Sequence, residues 1–262
     1  MTRTAVLAVG GNALAPGHGR ATLEEQQANA NKIARLAVTM MKQGWRIVLT
    51  HGNGPQVGNL SLQQEGGAAA AMIPAQPLVV LGAMTQGQIG HMLTVALHNA
   101  TGGDPGTCTL VTHVVVDPKD PAIATPTKPI GPFFSSHRAR VLAAQRGWQI
   151  VDDAGRGFRR VVPSPAPLEI LEGDAVRTLV DKGYVVVAGG GGGIPVVRRG
   201  RRLEGFDAVI DKDLTAALLA ATVNAEALLL LTGVDRVMLD FGKPTERPVR
   251  EMTVPEARAH LE

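Results

Sequence analysis

Apolar runs that break off abruptly in glycine, asparagine, aspartate or lysine recur along this chain, and they restrict its possible folds more than any other feature. They are TAVLAVGGNAL from Thr4 to Leu14, RIVLTHGNGPQVG from Arg46 to Gly58, YVVVAGGGGGIPV from Tyr184 to Val196, AVIDKDLTAALLA from Ala208 to Ala220, and ALLLLTGVDRVML from Ala227 to Leu239. Strands buried on both faces of an α/β sheet read as such continuous Val/Ile/Leu runs, and these sheets bind ligands at the carboxyl ends of their strands. Glycine at a strand end lets backbone N–H groups come close to an anion. The pattern predicts an α/β protein with one convergent, phosphate-handling site.

The intervening segments fit that plan. Ile33, Leu36, Ala37, Met40 and Met41 fall at helical spacing between Leu23 and Gly44, so strand, helix and second strand form a βαβ unit with a right-handed crossover. A second helix is predicted over about Met84 to Ala100, followed by a single strand from Thr107 to Asp117. Residues 117–167 differ: PTKPIGPF and RRVVPSPAP are too proline-rich for a central sheet, because each proline removes a ladder donor. That stretch is expected to protrude as a small subdomain or lid, with a helix near Ser136 to Gly147 and a short strand near Gln149 to Val151. The strand–helix rhythm resumes after Gly173.

Composition excludes several classes. Aromatic residues make up 3% of the chain, too few for the stacking platforms of single-stranded nucleic-acid binding. The clusters Arg159-Arg160, Arg198-Arg199 and Arg201-Arg202 are short, and the net charge of +3 is modest, so no nucleic-acid partner is expected. The most apolar stretch, Leu214 to Leu231, contains Asn224 and Glu226, which argues against a membrane span. Cys108 is the sole cysteine, so no intramolecular disulfide forms and a reducing, cytoplasmic location is expected.

The chemistry should gather at the strand ends. GGN (Gly10, Gly11, Asn12) and GNG (Gly52, Asn53, Gly54) close adjacent strands and present N–H donors to an oxyanion. The chain contains neither GxxxxGK[ST] nor a GxGxxG opening the first helix, which excludes a P-loop and disfavours a dinucleotide fold. The run Gly189 to Gly193 predicts close backbone approach to a ligand. In VIDKD, Lys212 is placed to neutralise a phosphoryl group, while Asp211 and Asp213 either orient lysines, hold Mg²⁺ through water, or cap the following helix. Lys128 lies between Thr127 and Pro129, with little backbone freedom. The seven histidines form no metal-ligand pattern, so no resident metal is expected.

These segments, in this order, resemble the carbamate kinases of the amino acid kinase superfamily: GGNAL, THGNGPQVG, GQIG, PTKPIGPF, RRVVPSP, GGGGIPV, VIDKDLTAALLA, LTGVD and FGKP. The resemblance runs from the first strand to near residue 255. It implies a three-layer αβα sandwich around a mainly parallel, eight-stranded sheet, with residues 117–167 as an inserted protruding subdomain. It also implies a homodimer, ATP and ADP as nucleotide substrates with Mg²⁺, and reversible phosphoryl transfer between ATP and carbamate, often run towards ATP in arginine, agmatine, purine or allantoin breakdown. By position, Gly10, Gly11, Asn12, Gly52, Asn53 and Gly54 would hold carbamate and the transferred phosphoryl group. Lys128 would reach in from the subdomain, Lys212 would bind phosphate, and Asp213 would organise the lysines. Gly190, Gly191, Lys212, Thr232 and Asp235 would approach the nucleotide. Most superfamily relatives carry a lysine two residues before the first glycine pair. Here that residue is Ala8, an absence carbamate kinases share and one for which Lys128 would compensate.

Carbamate kinases continue with a GSMGPK-like segment, whose lysine contacts nucleotide phosphate, and with a final helix and strand. The sequence ends at Glu262 before these, so the expected domain (1–262) lacks its C-terminal end: either the sequence is a fragment, or the protein is naturally short and is expected to bind ATP weakly. A non-catalytic or regulatory member of the fold that binds a nucleotide or small anion is the alternative expectation.

Overall fold

The first strand, β1 (Arg3–Val9), shows how the sequence makes layers. Ala5, Leu7 and Val9 point into one apolar cluster and Val6 into another, all fully buried. A strand with apolar residues on both faces must be covered on both sides. The structure, a computed structural model, describes residues 3–15, 22–153, 155–232, 234 and 236–260.

After a single turn, α1 (Gly11–Leu14), comes α2 (Leu23–Lys42), whose start is fixed by a capping box between Thr22 and Glu25. Then follow β2 (Trp45–His51), α3 (Gly54–Ala71), α4 (Leu78–Thr101), β3 (Thr107–Thr109) and β4 (His113–Val116). The proline-rich stretch contains α5 (Pro121–Ala124), β5 (Lys128–Phe134), α6 (Ser136–Arg146), β6 (Ile150–Asp152) and β7 (Phe158–Val162). Next are β8 (Pro167–Ile170), α7 (Gly173–Asp181), β9 (Val185–Val187), β10 (Ile194–Arg199) and β11 (Arg202–Gly205). This unit closes with α8 (Lys212–Thr222) and β12 (Ala227–Leu231).

The central sheet is five-stranded and wholly parallel, in the order β12-β1-β2-β9-β3. On one side, Ile33 and Ala34 of α2 and Ile89, Leu93 and Leu97 of α4 pack on Leu7, Leu49 and Val187. On the other, Val176 and Val180 of α7 and Leu219 of α8 pack on Val6, Val48 and Val186. Each fully buried Leu, Ile or Val contributes about 1.5–3 kcal/mol relative to exposure, so both helix layers are held mainly by this burial. The fold is therefore an α/β three-layer sandwich with a mainly parallel central sheet.

Three features differ from the sequence expectation. Four further strands form a second, mixed sheet, β11-β10-β4-β8, in place of one eight-stranded sheet. The strand predicted over Thr107 to Asp117 is two strands, one in each sheet. Gln86 intervenes there: its side chain accepts from the Thr112 N–H at 2.8 Å and donates to the Thr112 carbonyl at 3.1 Å, meeting backbone needs that a ladder would otherwise serve. Ala208 to Ile210 adopts no strand, because its backbone bonds run to loops, as in Val209 N–H to Pro163 O at 3.0 Å.

Residues 128–162 carry their own antiparallel sheet, β5-β7-β6. A third apolar cluster joins Ile130 and Val162 of that sheet to Val57 of α3, Leu78 and Leu81 of α4, and Val209. Residues 232–262 form a separate unit, with strands β13 (Met238–Leu239) and β14 (Arg247–Pro248) paired antiparallel and a final helix α9 (Val254–Ala259). Among the described residues, no helix is long and apolar enough to cross a membrane.

Candidate active site

Because β1 and β2 are parallel neighbours in register from Arg3↔Trp45 to Val9↔His51, their carboxyl ends bring the GGN and GNG turns side by side. The Gly52 N–H donates to the Val9 carbonyl at 2.8 Å. The two turns touch: a side chain added at Gly52 would stand 2.8 Å from the Gly11 nitrogen, and one at Gly11 would stand 3.2 Å from the Gly54 nitrogen. Gly52 is thus required by the backbone across the gap, and Gly11 is closely fitted to it.

Lys212 lies over both turns. Its Cδ is 3.3 Å from the position of a Gly52 side chain, and its Cε 4.0 Å from that of a Gly10 side chain. The Nζ donates to Asp213 Oδ1 at 2.5 Å, and only 18% of the lysine side chain is exposed. Asp211 joins the second lysine to the same place. Its Oδ1 accepts from the Asp213 N–H at 2.8 Å and caps α8, while its Oδ2 accepts from Lys128 Nζ. Burial pushes the Asp211 carboxyl upward. The Lys128 hydrogen bond and charge, with the Asp213 and Leu214 N–H groups, outweigh that and hold it below the usual carboxylate range. Two cations and two carboxylates therefore sit at the N-terminus of α8, where backbone N–H groups also favour an anion.

The sequence reading of VIDKD left orienting and capping open, and in the structure Asp211 does both. Asp213 is bonded to Lys212 alone among the two lysines. Asp211 is thus the carboxylate that reaches Lys128, and it was absent from the expected catalytic set. Its signal was its place as a helix N-cap flanked by a lysine.

Asn53 is buried, and its amide donates to Thr85 Oγ1 at 2.8 Å. The Asn12 side chain and Asp235 lie outside the described residues. Thr232 belongs to the C-terminal unit, where its Oγ1 donates to the Val234 carbonyl at 2.9 Å. The five-glycine run is buried throughout and turns its tight face to protein. A side chain at Gly190 would fall on the His51 ring, and one at Gly191, where φ is +67°, would fall on the Asn53 amide. The open Cβ side of Gly190 and Gly191 is thus filled by the residues beneath the GNG turn.

His51 completes that support. It is wholly buried, and its Nδ1–H donates to the Gly52 carbonyl at 3.1 Å, so the ring is in the Nδ1–H tautomer. Desolvation lowers its pKa to about 4, against a smaller opposing effect of that hydrogen bond, and the ring is neutral at pH 7. The basic pair Arg159-Arg160 is spent internally. Arg159 donates to the Gly131 carbonyl at 3.0 Å and the Pro129 carbonyl at 3.3 Å, and Arg160 stacks 4.4 Å above the Trp148 ring. Among the described residues, no group of three or more His, Cys, Asp or Glu is placed to hold a metal ion.

The sequence model of the amino acid kinase family matches residues 3–261. A carbamate kinase from Pyrococcus furiosus is 43% identical over 265 residues, an alignment covering 100% of this chain and 84% of the relative. The structure of a carbamate kinase from Giardia lamblia bound to citric acid superposes with a TM-score of 0.91 at 40% identity, covering 99% of this chain and 82% of that one. The Giardia enzyme bound to AMP-PNP gives a TM-score of 0.83 at 42% identity, over 94% and 79% of the two chains.

Proposed function

This chain belongs to the amino acid kinase family as one of its carbamate kinases, and we propose that the cleft formed by the two glycine turns and the start of α8 carries its phosphoryl transfer. The reaction is ADP + carbamoyl phosphate ⇌ ATP + carbamate. In the direction of ATP formation, the bond between phosphorus and the carbamate oxygen breaks as a bond to the ADP β-phosphate oxygen forms. Carbamate leaves as an anion and the attacking oxygen is already ionised, so no general base or covalent enzyme intermediate is required.

With no proton to move, catalysis rests on alignment and on charge placed around the travelling phosphoryl group. Lys212 takes the central position, since its stem crosses both turns. Lys128 brings a second cation from β5. Asp211 and Asp213 keep the two ammonium groups apart and aimed, and the N–H groups of Gly11 and Gly54 are proposed to face the substrate oxygens, while those of Gly10 and Gly52 bond the Leu231 and Val9 carbonyls and hold the turns in shape. Asn12 belongs to the same turn and is proposed to add a donor. Asn53 serves through its backbone, with its amide tied to Thr85. Mg²⁺ would come with the nucleotide and supply charge neutralisation to its phosphates. We further take the protein to be a homodimer, as the motif resemblance implies, with sedimentation velocity as the check on assembly, and to work in the cytoplasm, as the single cysteine suggests.

One observation carries this reading: Lys212 spans the GGN and GNG turns while Lys128 is bonded to the carboxylate one residue before it. The test is a coupled assay of ATP formation from ADP and carbamoyl phosphate. Turnover that saturates in both substrates is expected. Folded protein that binds ADP yet makes no ATP would refute the reading.

A further inference from the structure

Lys128 enters from β5, outside both glycine turns and α8, so some contact must set its reach. The helix that starts at the GNG turn supplies one. One turn into α3, Gly58 lies directly against Gly131 of β5, and a side chain at Gly58 would fall on the Gly131 Cα. In the reverse sense, the Gly58 Cα is 3.5 Å from where a Gly131 side chain would begin. Gly131 has φ of +77°, a backbone conformation that a side chain disfavours, and the β5–β7 register shifts between Ile130 and Phe134. The strand therefore bends where it meets the helix, three residues beyond Lys128.

The surroundings lock that contact from both sides. Ile130, next to Gly131, is buried against Val57, next to Gly58. Arg159 grips the strand from its outer side through the Pro129 and Gly131 carbonyls. Farther along the same face of α3, Ser61 accepts from Arg160 at 3.4 Å and Glu65 pairs with Arg146 at 2.8 Å. Positions 58, 61 and 65 share one side of a helix.

We propose that Gly58 and Gly131 are positioning residues that set the distance between Lys128 and the phosphoryl group. The chain of contact runs from the GNG turn through the first turn of α3, across the paired glycines, and back along three residues of β5 to Lys128 and Asp211. Any side chain at position 58 pushes the strand outward and withdraws Lys128, leaving Lys212 and both turns in place. The inference rests on the role proposed above for Lys128, and the experiment separates the two.

The full chain is assayed for ATP formation as wild type, Gly58→Ala, Lys128→Ala and the double variant. A displacement of order 1 Å at a catalytic group can cost about 100-fold, so kcat of Gly58→Ala should fall by about that factor, with the KM for ADP within about twofold of wild type. In the Lys128→Ala background, adding Gly58→Ala should cost nothing further, because the misplaced group is already gone. Wild-type turnover in Lys128→Ala would remove the role of that lysine. An impaired Lys128→Ala beside an unaffected Gly58→Ala, or losses that multiply in the double variant, would overturn the positioning role alone. Should circular dichroism show Gly58→Ala unfolded, Arg159→Gln, which loosens the same strand without a collision, carries the test: about a tenfold loss of kcat, absent in the Lys128→Ala background, is expected. A multiplicative loss or wild-type kcat in that variant overturns the proposal.

Discussion

The glycine turns after β1 and β2 and the glycine run after β9 are similar stretches of sequence in opposite surroundings. At Gly10, Gly11, Gly52 and Gly54 the backbone is partly exposed and has a lysine stem across it; from Gly189 to Gly193 it is fully enclosed. The first pair of turns lies under the Lys212 stem. The second packs against His51, Asn53, Ile210 and Val114, and so fixes the first from below. Glycine at a strand end signals close approach; what approaches is decided by the layer that the neighbouring side chains fill.

Lys212→Ala should give the largest effect, on activity alone. Turnover should fall by about 100-fold or more, the scale of losing one donor to a developing oxyanion, while thermal stability shifts little. Equal turnover in this variant would make the open turns no more catalytic than the buried run.

Gly191→Ala should affect stability first. The new methyl meets the Asn53 amide, and φ of +67° adds strain, so a loss of about 3 kcal/mol is expected in denaturant unfolding. A near-neutral result would show that the run is not packed as described.

His51 adds a pH dependence. Its folded pKa, about 4, lies below the ordinary value near 6.5, so the unfolded chain takes up a proton over that window and the native state does not. The stability this ring allows is full above pH 6.5 and is lost as pH falls towards 4, amounting to about 2 kcal/mol between pH 6.5 and 5. Urea unfolding at those two pH values should show a smaller difference in His51→Gln than in wild type. An unchanged difference would mean that His51 is not the responsible group.

Gly66→Ala gives the smallest effect and the sharpest contrast. Gly66 lies within α3 with nothing near its missing side chain, so alanine should stabilise by about 0.5–1 kcal/mol, read as a rise in the urea midpoint.

Much of this architecture was legible because burial writes itself into strands such as Ala5 to Val9 and into the spacing of Ile33, Ala34 and Ala37. Lys128 and Lys212 also stand out in the sequence, as cations beside proline and aspartate, and the structure ties them to the neighbouring carboxylates Asp211 and Asp213. Long-range satisfaction of polar groups was hidden. Nothing in the sequence announces that Gln86 will bond Thr112 just beyond β3, or that the lysine held by the second oxygen of Asp211 will be one 83 positions away. The helix from Gly54 to Ala71 was hidden for a different reason. Its glycine- and glutamine-rich sequence has little amphipathic pattern, and tertiary contacts at Val57, Gly58 and Ser61 hold it in place.

The turnover of the Lys128→Ala/Lys212→Ala double variant, set beside the two single variants, tests the shared pocket most directly. Groups that serve one travelling charge act as a unit, so the double loss should fall well short of the product of the single losses. Losses that multiply in full would place the two lysines at independent tasks and contradict the account.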